Sequence, residues 1–357
     1  MTKHNKSKIA VGLSGGVDSS VAAFLLQKEG YDVTGVYMQC WGSDEFGCTA
    51  EEDRASAASV AGYLDIKFKY LDFIAHYKNK VIDYFFKEYE AGRTPNPDVM
   101  CNREIKFELF LKWAIEAGFD YIATGHYSRV LHSDDGYRLL KGSDASKDQS
   151  YFLYTLGQEQ LSRTKFPVGA LQKTEVRNIA KEAGLPTFAR PDSQGICFVG
   201  EVNVKDFIRS KLGTKNGAVK SVNGDVLGEH DGYWFYTVGQ RHGFRLSKYQ
   251  GLPMYVISKD VKNNEIVVGS VAEATKNTFI VQDTRWSSRR GFEQLYEADI
   301  QVRLRHLGTL YPCAKIEQVA PDVFMVTLKE KVFAVAEGQS CVFYNGDEVL
   351  GGGEIRY

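Results

Sequence analysis

The 357-residue sequence has no apolar run approaching the ~20 residues that cross a bilayer, and no membrane partner is expected. Its start, MTKHNKSK, is a short basic arm that runs straight into an apolar segment without the apolar stretch of a secretory signal. Cysteine is scarce: six residues, widely spaced, do not form a disulfide framework. A cytoplasmic location follows as the expectation, and any special cysteine there should be special for reactivity. Neither charge dominates, since 44 Lys+Arg against 45 Asp+Glu leave −1. The chain as a whole therefore does not advertise a nucleic-acid binder, and any basic surface must be local. No heptad pattern persists, the 34 glycines are scattered, and there is no internal repeat, which excludes coiled-coil, collagen-like and solenoid classes.

What is present suits a globular protein with substantial cores: 43% hydrophobic, 25% charged and 13% aromatic residues. At about 150 residues per domain the length suggests two to three domains, and a monomer is expected. The first half alternates strand and helix patterns. Strands are predicted at Lys8–Leu13, Asp32–Met38, Ile66–Leu71 and Tyr121–Thr124, and helices near Asp18–Glu29, Glu51–Gly62, Phe73–Ala91 and Arg103–Ala117. This order predicts an α/β fold with a doubly wound parallel sheet, whose ligands bind beyond the carboxyl ends of the strands. The stretch 204–269 is Gly-rich and turn-rich, and residues 205–269 carry 10 Lys+Arg against 6 Asp+Glu. Residues 270–357 show short alternating strands, such as Phe279–Gln282, Ala298–Leu304 and Phe324–Leu328, with turns like Asn345-Gly346-Asp347, which predict a small β-barrel. The expected domains are 1–203, a small central domain at 204–269, and a C-terminal β-barrel at 270–357.

Between the first strand and the first helix lies VGLSGGVDSS, Val11–Ser20. Backbone N–H groups at a helix start, together with the helix dipole, favour an anion there, and glycines permit close approach. A Walker A loop would carry a lysine and a dinucleotide fold G-x-G-x-x-G, and neither pattern is present. S-G-G-V-D-S resembles the pyrophosphate loop of the ATP pyrophosphatases, which activate a carbonyl oxygen as its adenylate. The loop alone does not choose among members of that superfamily, which include amide-forming ligases and tRNA-modifying enzymes.

Thr94–Phe107, TPNPDVMCNREIKF, carries a second pattern. Asn96 can cap a helix with Pro97 at its first position, and Asp98 and Cys101, three apart, then share a face. A cysteine near a helix N-terminus beside Arg103 and Lys106 is expected to have a lowered pKa and to be the better nucleophile. Asp98 fits a proton carrier or a group that hydrogen-bonds substrate. A third segment, RPDSQGICFVG, places Cys197 after a flexible lead-in, and on its own reads better as a packed strand cysteine.

Together, GLSGGVDSS, AGRTPNPDVMCNREIKF, ATGHY, KDQSYFLY, PDSQGICF, TVGQRHG and GQSCVFYNGDEVLGGG closely resemble the tRNA-specific 2-thiouridylase family over essentially the whole chain. The resemblance implies an ATP-dependent sulfurtransferase that adenylates the C2 oxygen of the wobble uridine of tRNA and replaces it with sulfur, giving 2-thiouridine, AMP and pyrophosphate. It implies that Gly12, Leu13, Ser14, Gly15, Gly16, Val17, Asp18 and Ser19 bind ATP phosphates, with Met38 and Gly125 lining the nucleotide pocket. Asn96, Pro97 and Asp98 would contact the target base. Cys197 would carry a persulfide, and Cys101 would release its sulfur, as sulfide or through a transient Cys101–Cys197 disulfide. His126, Lys147, Asp148, Gln149, Arg303, Leu304, Arg305 and Gln339 would contact tRNA, although Leu304 stands where the family has an aromatic. Mg²⁺ is expected with ATP. The implied partners are tRNAs accepting Lys, Glu and Gln, and a cysteine desulfurase or sulfur-relay protein as persulfide donor.

Basic residues also cluster at Arg285, Arg289 and Arg290 beside Trp286, and at Arg303 and Arg305. Such arginines suit phosphates and Trp286 could stack on a base, or all could be ordinary strand and turn positions. Cys40 and Cys48 form no C-x-x-C and read as incidental, Cys313 and Cys341 as barrel core. No zinc site or iron–sulfur cluster is expected. Two other readings compete. A C–N ligase would need its own ammonia source, and none is expected ahead of the loop. A non-catalytic RNA-binding module would bind tRNA without turnover.

Overall fold

A computed structural model describes residues 6–42, 50–192, 197, 203–247, 251, 253–296 and 299–357. The apolar run KIAVG forms β1 (Lys8–Gly12), where Ile9, Ala10 and Val11 are fully buried. It lies between β2 (Asp32–Gln39) and a three-residue β4 (Tyr121–Ala123), and β3 (Lys67–Asp72) pairs outside β2. After β4 the chain forms a hairpin, β5 (Ser128–Ser133) and β6 (Gly136–Lys141), and returns as β7 (Thr164–Lys165) beside β4. The resulting order, β3-β2-β1-β4-β7, is parallel throughout. The order reverses at β1, so a crevice opens beyond the carboxyl ends of β1 and β4. Helix α1 (Val17–Lys28) leaves β1 through the Ser14–Gly16 turn and ends before Gly30, whose φ of +94° is the left-handed stop that glycine adopts freely. Helix α2 (Ala50–Tyr63) follows β2.

Two helices carry π-helical stretches. The run 74–90 contains one at Lys78–Ile82, and the run 97–116 contains one at Asn102–Leu109. The second helix begins at Pro97, as the Asn96–Pro97 cap predicts and ahead of the Arg103 start read from the strand–helix alternation, with the Asn96 side chain accepting a hydrogen bond from the Val99 N–H at 3.3 Å.

The central unit pairs β8 (Gly217–Ser221), β9 (Val226–His230), β10 (Arg245–Leu246), β11 (Tyr255–Asp260) and β12 (Glu265–Gly269) in the order β10-β9-β8-β12-β11. Its leading helix, Val204–Leu212, inserts Phe207 against Trp41, Phe85 and Phe86 of the first unit, at ring separations of 6.0, 5.7 and 5.1 Å.

In the last third, β13 (Thr275–Trp286), β14 (Ile300–Arg303), β15 (Leu310–Ala320), β16 (Val323–Phe333), β17 (Ser340–Asn345) and β18 (Glu348–Arg356) run antiparallel. The additional β13–β18 pairing closes them into a six-stranded barrel. Closure leaves no free edge among these six. Ala298, where the predicted strand Ala298–Leu304 begins, lies outside the described residues. The β5–β6 hairpin, turning at Asp134-Asp135-Gly136, joins this barrel. It pairs Leu139 with Val349 and Leu140 with Glu348, so the sheet of the C-terminal unit includes two strands from the first.

Candidate active site

At the mouth of β1 the loop is braced by its own hydroxyls. The Ser19 hydroxyl donates to the Gly16 carbonyl at 3.0 Å and accepts from the Ser14 N–H at 3.2 Å, and Ser20 donates to the same carbonyl at 2.8 Å. Gly15, at φ +81°, has no room for a side chain: a Cβ there would lie 2.6 Å from the Asp53 carbonyl oxygen. Its carbonyl is held from outside by the Ser56 hydroxyl and the Arg190 guanidinium, both at 2.9 Å, and Arg190 also pairs with Asp53. A Cβ on Gly125 would lie 2.7 Å from the Ser19 backbone nitrogen, so β4 approaches the start of α1 only because that residue is glycine. Met38 closes the floor, its Cε 3.1 Å from where a Gly12 Cβ would stand. The turn and α1 together present backbone N–H groups and a helix dipole to the crevice, the arrangement that binds an anion.

A cationic network flanks this loop. The Lys173 ammonium reaches Asp18 at 2.6 Å and Asp192 at 2.9 Å, while Tyr127 donates its hydroxyl to Asp18 at 2.8 Å. Lys147 and Arg177 also bind Asp192, at 2.8 and 2.5 Å. The side-chain hydrogen bonds from Lys147 and Lys173 and their charges outweigh burial and hold the Asp192 carboxyl well below its ordinary range. These contacts were not read from the sequence. Arg190 and Asp192 stand in the quoted RPDSQGICF segment, but their partners are distant in the chain.

The two cysteines, 96 positions apart, meet. Cys101, fully buried, donates its thiol hydrogen to the Cys197 sulfur across 3.5 Å. That is the contact of two thiols, against about 2.05 Å for a disulfide bond. Cys197 is docked at both backbone groups: its N–H donates to Asp98 Oδ1 at 3.2 Å, and its carbonyl accepts the Tyr77 hydroxyl at 2.5 Å. Asp98 and Cys101 thus share one helix face and converge on Cys197, and Lys106 from the same helix also hydrogen-bonds that sulfur.

The charge distribution reverses one expectation. Cys101 is not the activated thiol. Burial, and then the neighbouring Cys197, push its pKa well above the ordinary value, and the Lys106 charge only partly offsets them. Arg103, expected beside it, turns to Glu104 at 2.7 Å. Cys197 is the acidic member: the Cys101 hydrogen bond, against burial, and then the Lys106 charge bring it down to about 7. Burial raises the Asp98 carboxyl, the Cys197 N–H notwithstanding.

Three family models match successive parts of the chain. They are described as a tRNA methyl transferase HUP domain over residues 7–201, a tRNA methyl transferase PRC-barrel domain over 205–270, and an aminomethyltransferase beta-barrel domain over 276–355. A tRNA-specific 2-thiouridylase of Geobacillus thermodenitrificans is 45% identical over 98% of this chain and 95% of its own length. One from Geobacillus kaustophilus is 46% identical over the same shares, and one from Idiomarina loihiensis 45% over 98% and 96%. The chain belongs to the tRNA-specific 2-thiouridylase family.

The residues expected from the sequence to contact tRNA occupy varied surroundings. His126 is buried, its Nδ1 2.7 Å from the Thr124 hydroxyl, and burial, then the Lys106 charge, hold its pKa well below the ordinary value. Gln149 accepts the Tyr127 N–H at 3.0 Å, which ties it to the Asp18 network. Asp148 is buried and accepts the Gly142 and Ser150 N–H groups together with the Arg303 guanidinium. Leu304 is core, Arg305 exposed. Gln339 donates to the Thr94 and Pro95 carbonyls at 3.0 and 3.2 Å, so the barrel steadies the segment leading into Asn96 and Pro97.

Arg285, on the barrel wall, and Arg103, on the helix, line one cleft with Asn96, Val99 and Glu354, while Arg289 and Arg290 are exposed elsewhere on β13's end. Trp286 packs among Phe324, Phe343 and Phe292 at 5.5–6.4 Å, and so belongs to the barrel wall. Cys341 is buried in the barrel and Cys313 half-buried; Cys48 lies outside the described residues. Cys40 belongs with the active-site group after all: it is buried at the end of β2, in the same apolar cluster as Cys101 and Cys197, and burial, then Cys197, push its pKa far up. Among the described residues no group of three or more His, Cys, Asp or Glu side chains converges to hold a metal ion, and no helix is long and apolar enough to cross a membrane.

Proposed function

We propose that this protein is the ATP-dependent sulfurtransferase that converts the wobble uridine of tRNA to 2-thiouridine through a persulfide on Cys197. The contact between Cys101 and Cys197 beside Asp98 carries this reading, with the anion-binding loop at β1 as its second half. The C2 oxygen of uridine is a poor leaving group. Its attack on the α-phosphorus of ATP expels pyrophosphate and leaves C2 bonded to an AMP oxygen, while the N3 proton passes to Asp98. Loop amides and Lys173 would stabilise the phosphates, and Mg²⁺ bound with ATP would neutralise phosphate charge.

The terminal sulfur of the Cys197 persulfide then displaces AMP at C2, forming a mixed disulfide. Cys101 attacks the Cys197 sulfur as its thiol proton passes to N3 of the departing 2-thiouridine, a Cys101–Cys197 disulfide forms, and Asp98 gives up to solvent the proton it took. The transferred sulfur gains two electrons and the cysteine pair loses two, so an external thiol must reduce the pair before the next cycle. Splitting one displacement into two easier ones is the reason for a covalent carrier. The wobble base lies in a single-stranded loop, so splaying it out towards Asn96 and Asp98 requires no duplex to be opened. The substrates proposed are tRNAs accepting Lys, Glu and Gln, and the persulfide comes from a cysteine desulfurase or a relay protein.

The test incubates protein, ATP, Mg²⁺, a cysteine desulfurase with cysteine, and unmodified tRNA, then searches digested nucleosides for 2-thiouridine by mass spectrometry. Product that disappears without ATP and with Cys197→Ser supports the reading. Product that survives Cys197→Ser overturns the carrier role, and tRNA binding with no turnover would return the protein to a binding module.

A further inference from the structure

Cys101 and Lys106 are five residues apart, which on a regular α-helix turns about 500° and leaves them about 140° apart around the axis. Here the residues between them do not form a regular α-helix. Asn102–Leu109 is π-helical, and the Phe110 N–H bonds the Ile105 carbonyl five residues back. Wider turns of this kind bring positions five apart towards one face, and they recur at functional sites. The stretch thus swings Lys106 to the side already occupied by Asp98 and Cys101. A second π turn, Lys78–Ile82, follows Tyr77 in the helix packed against it, and Tyr77 holds the Cys197 carbonyl.

Among the described residues, the ionisable groups that face the Cys197 sulfur can then be named. Asp98, Cys101 and Lys106 come from the helix 97–116, Tyr77 from the opposite helix, and Cys40 from the end of β2. His126, from the turn after β4, faces Lys106. Tyr77, Cys40 and Cys101 are all pushed up, chiefly by burial, and His126 is pushed down, so each stays neutral. Lys106 is the single cation among these groups. Burial opposes its charge, yet the Cys197 and Cys101 sulfurs raise its pKa overall, so it stays protonated.

We propose that Lys106 is a further catalytic residue: its ammonium, brought round by the π-helical stretch, hydrogen-bonds the Cys197 sulfur and holds it as the thiolate that takes up sulfur. This rests on the carrier role of Cys197 above. In the uptake step the thiolate attacks the outer sulfur of a protein persulfide. The donor's S–S bond breaks, a new S–S bond forms on Cys197, and the donor leaves as its thiolate, with the outer proton retained on the transferred sulfur. Lys106 lowers the cost of the attacking anion in a pocket that otherwise disfavours charge.

The test is the pH dependence of Cys197 alkylation by iodoacetamide in the full-length protein, read by peptide mass spectrometry and needing no turnover. The wild-type midpoint is expected at about 7. In Lys106→Met it should rise by about one pH unit or more, which is roughly a tenfold slower reaction near pH 7, whereas Lys106→Arg keeps it low. Lys106→Gln, which keeps a donor without charge, repeats the measurement should the methionine variant not fold, and circular dichroism monitors both. Sulfur uptake from a persulfidated donor should slow in parallel. An unchanged midpoint in folded Lys106→Met or Lys106→Gln overturns the proposal. Thiolation surviving in Cys197→Ser would instead overturn the carrier reading, so the two failures are distinguishable.

Discussion

Arg303 of the barrel and Asp148 of the first unit meet at 2.6 Å in the interior, with the Arg303 guanidinium also lying over the Tyr344 ring at 5.1 Å. Both side chains are almost wholly buried, and Asp148 is further satisfied by two backbone N–H groups. Removing one partner strands a buried charge. Arg303→Met should therefore cost about 3–5 kcal/mol of unfolding free energy in chemical denaturation, and pairing it with Asp148→Asn should recover much of that loss. A surface arginine used only to touch RNA would leave the denaturation midpoint where it was.

Tyr77→Phe removes the only hydroxyl that meets the Cys197 carbonyl among the described residues, at 2.5 Å, and keeps the ring against Trp41. The expected penalty is about 1–3 kcal/mol, spent on the position of Cys197 and not on the nucleotide. Single-turnover thiolation should fall roughly tenfold or more while pyrophosphate release continues at the wild-type rate. Equal loss of both activities would show that Tyr77 supports the whole domain instead.

Lys173→Met leaves Asp18 and Asp192 facing each other without the ammonium that bridges them. Loss of a preorganised cation beside a reacting phosphate should reduce ATP-dependent pyrophosphate release by about 10²-fold. Pyrophosphate release within a few fold of wild type would exclude Lys173 from the phosphate machinery.

Lys259, on β11, donates to the Tyr236 carbonyl at 2.8 Å, and burial brings its pKa down to about 8 from the ordinary 10.5. Between those values the unfolded chain binds more protons than the folded one, so this residue makes stability rise with pH across the interval. Below about pH 8 its full burial cost is present. The unfolding free energy of the wild type relative to Lys259→Met should therefore climb from pH 8 to pH 10, as urea midpoints at each pH would reveal.

Much of this was legible in the chain because local patterns and global fold agree. The KIAVG strand, the Ser14–Gly16 turn, the glycine stop at Gly30 and the Asn96–Pro97 cap each follow from chemistry within a few residues, and each stands where that chemistry puts it. The parallel sheet and the terminal barrel were legible from alternation and turn spacing. What escaped was non-local. The Cys101 environment was misjudged because nearby basic residues do not reveal depth: Arg103 turns away, and burial decides the thiol. Cys40 was passed over because no sequence spacing links it to residues 61 and 157 positions later. The β5–β6 hairpin carried a turn signal in Asp134-Asp135-Gly136, but only the register with β18 assigns it to a distant sheet. Nor does residue propensity announce a π-helical stretch, since its sequence, NREIKFEL, suits an ordinary helix.

The hairpin has a consequence for where this chain can be cut. A gene fragment ending at residue 203 would synthesise β5 and β6 without the barrel strand that receives them, leaving the apolar Leu139 and the ladder of β6 exposed to solvent. Such an edge recruits other chains. During synthesis the ribosome delivers the hairpin some two hundred residues before its acceptor, so the first unit must wait with an open seam, and its assembly is finished only when β18 arrives.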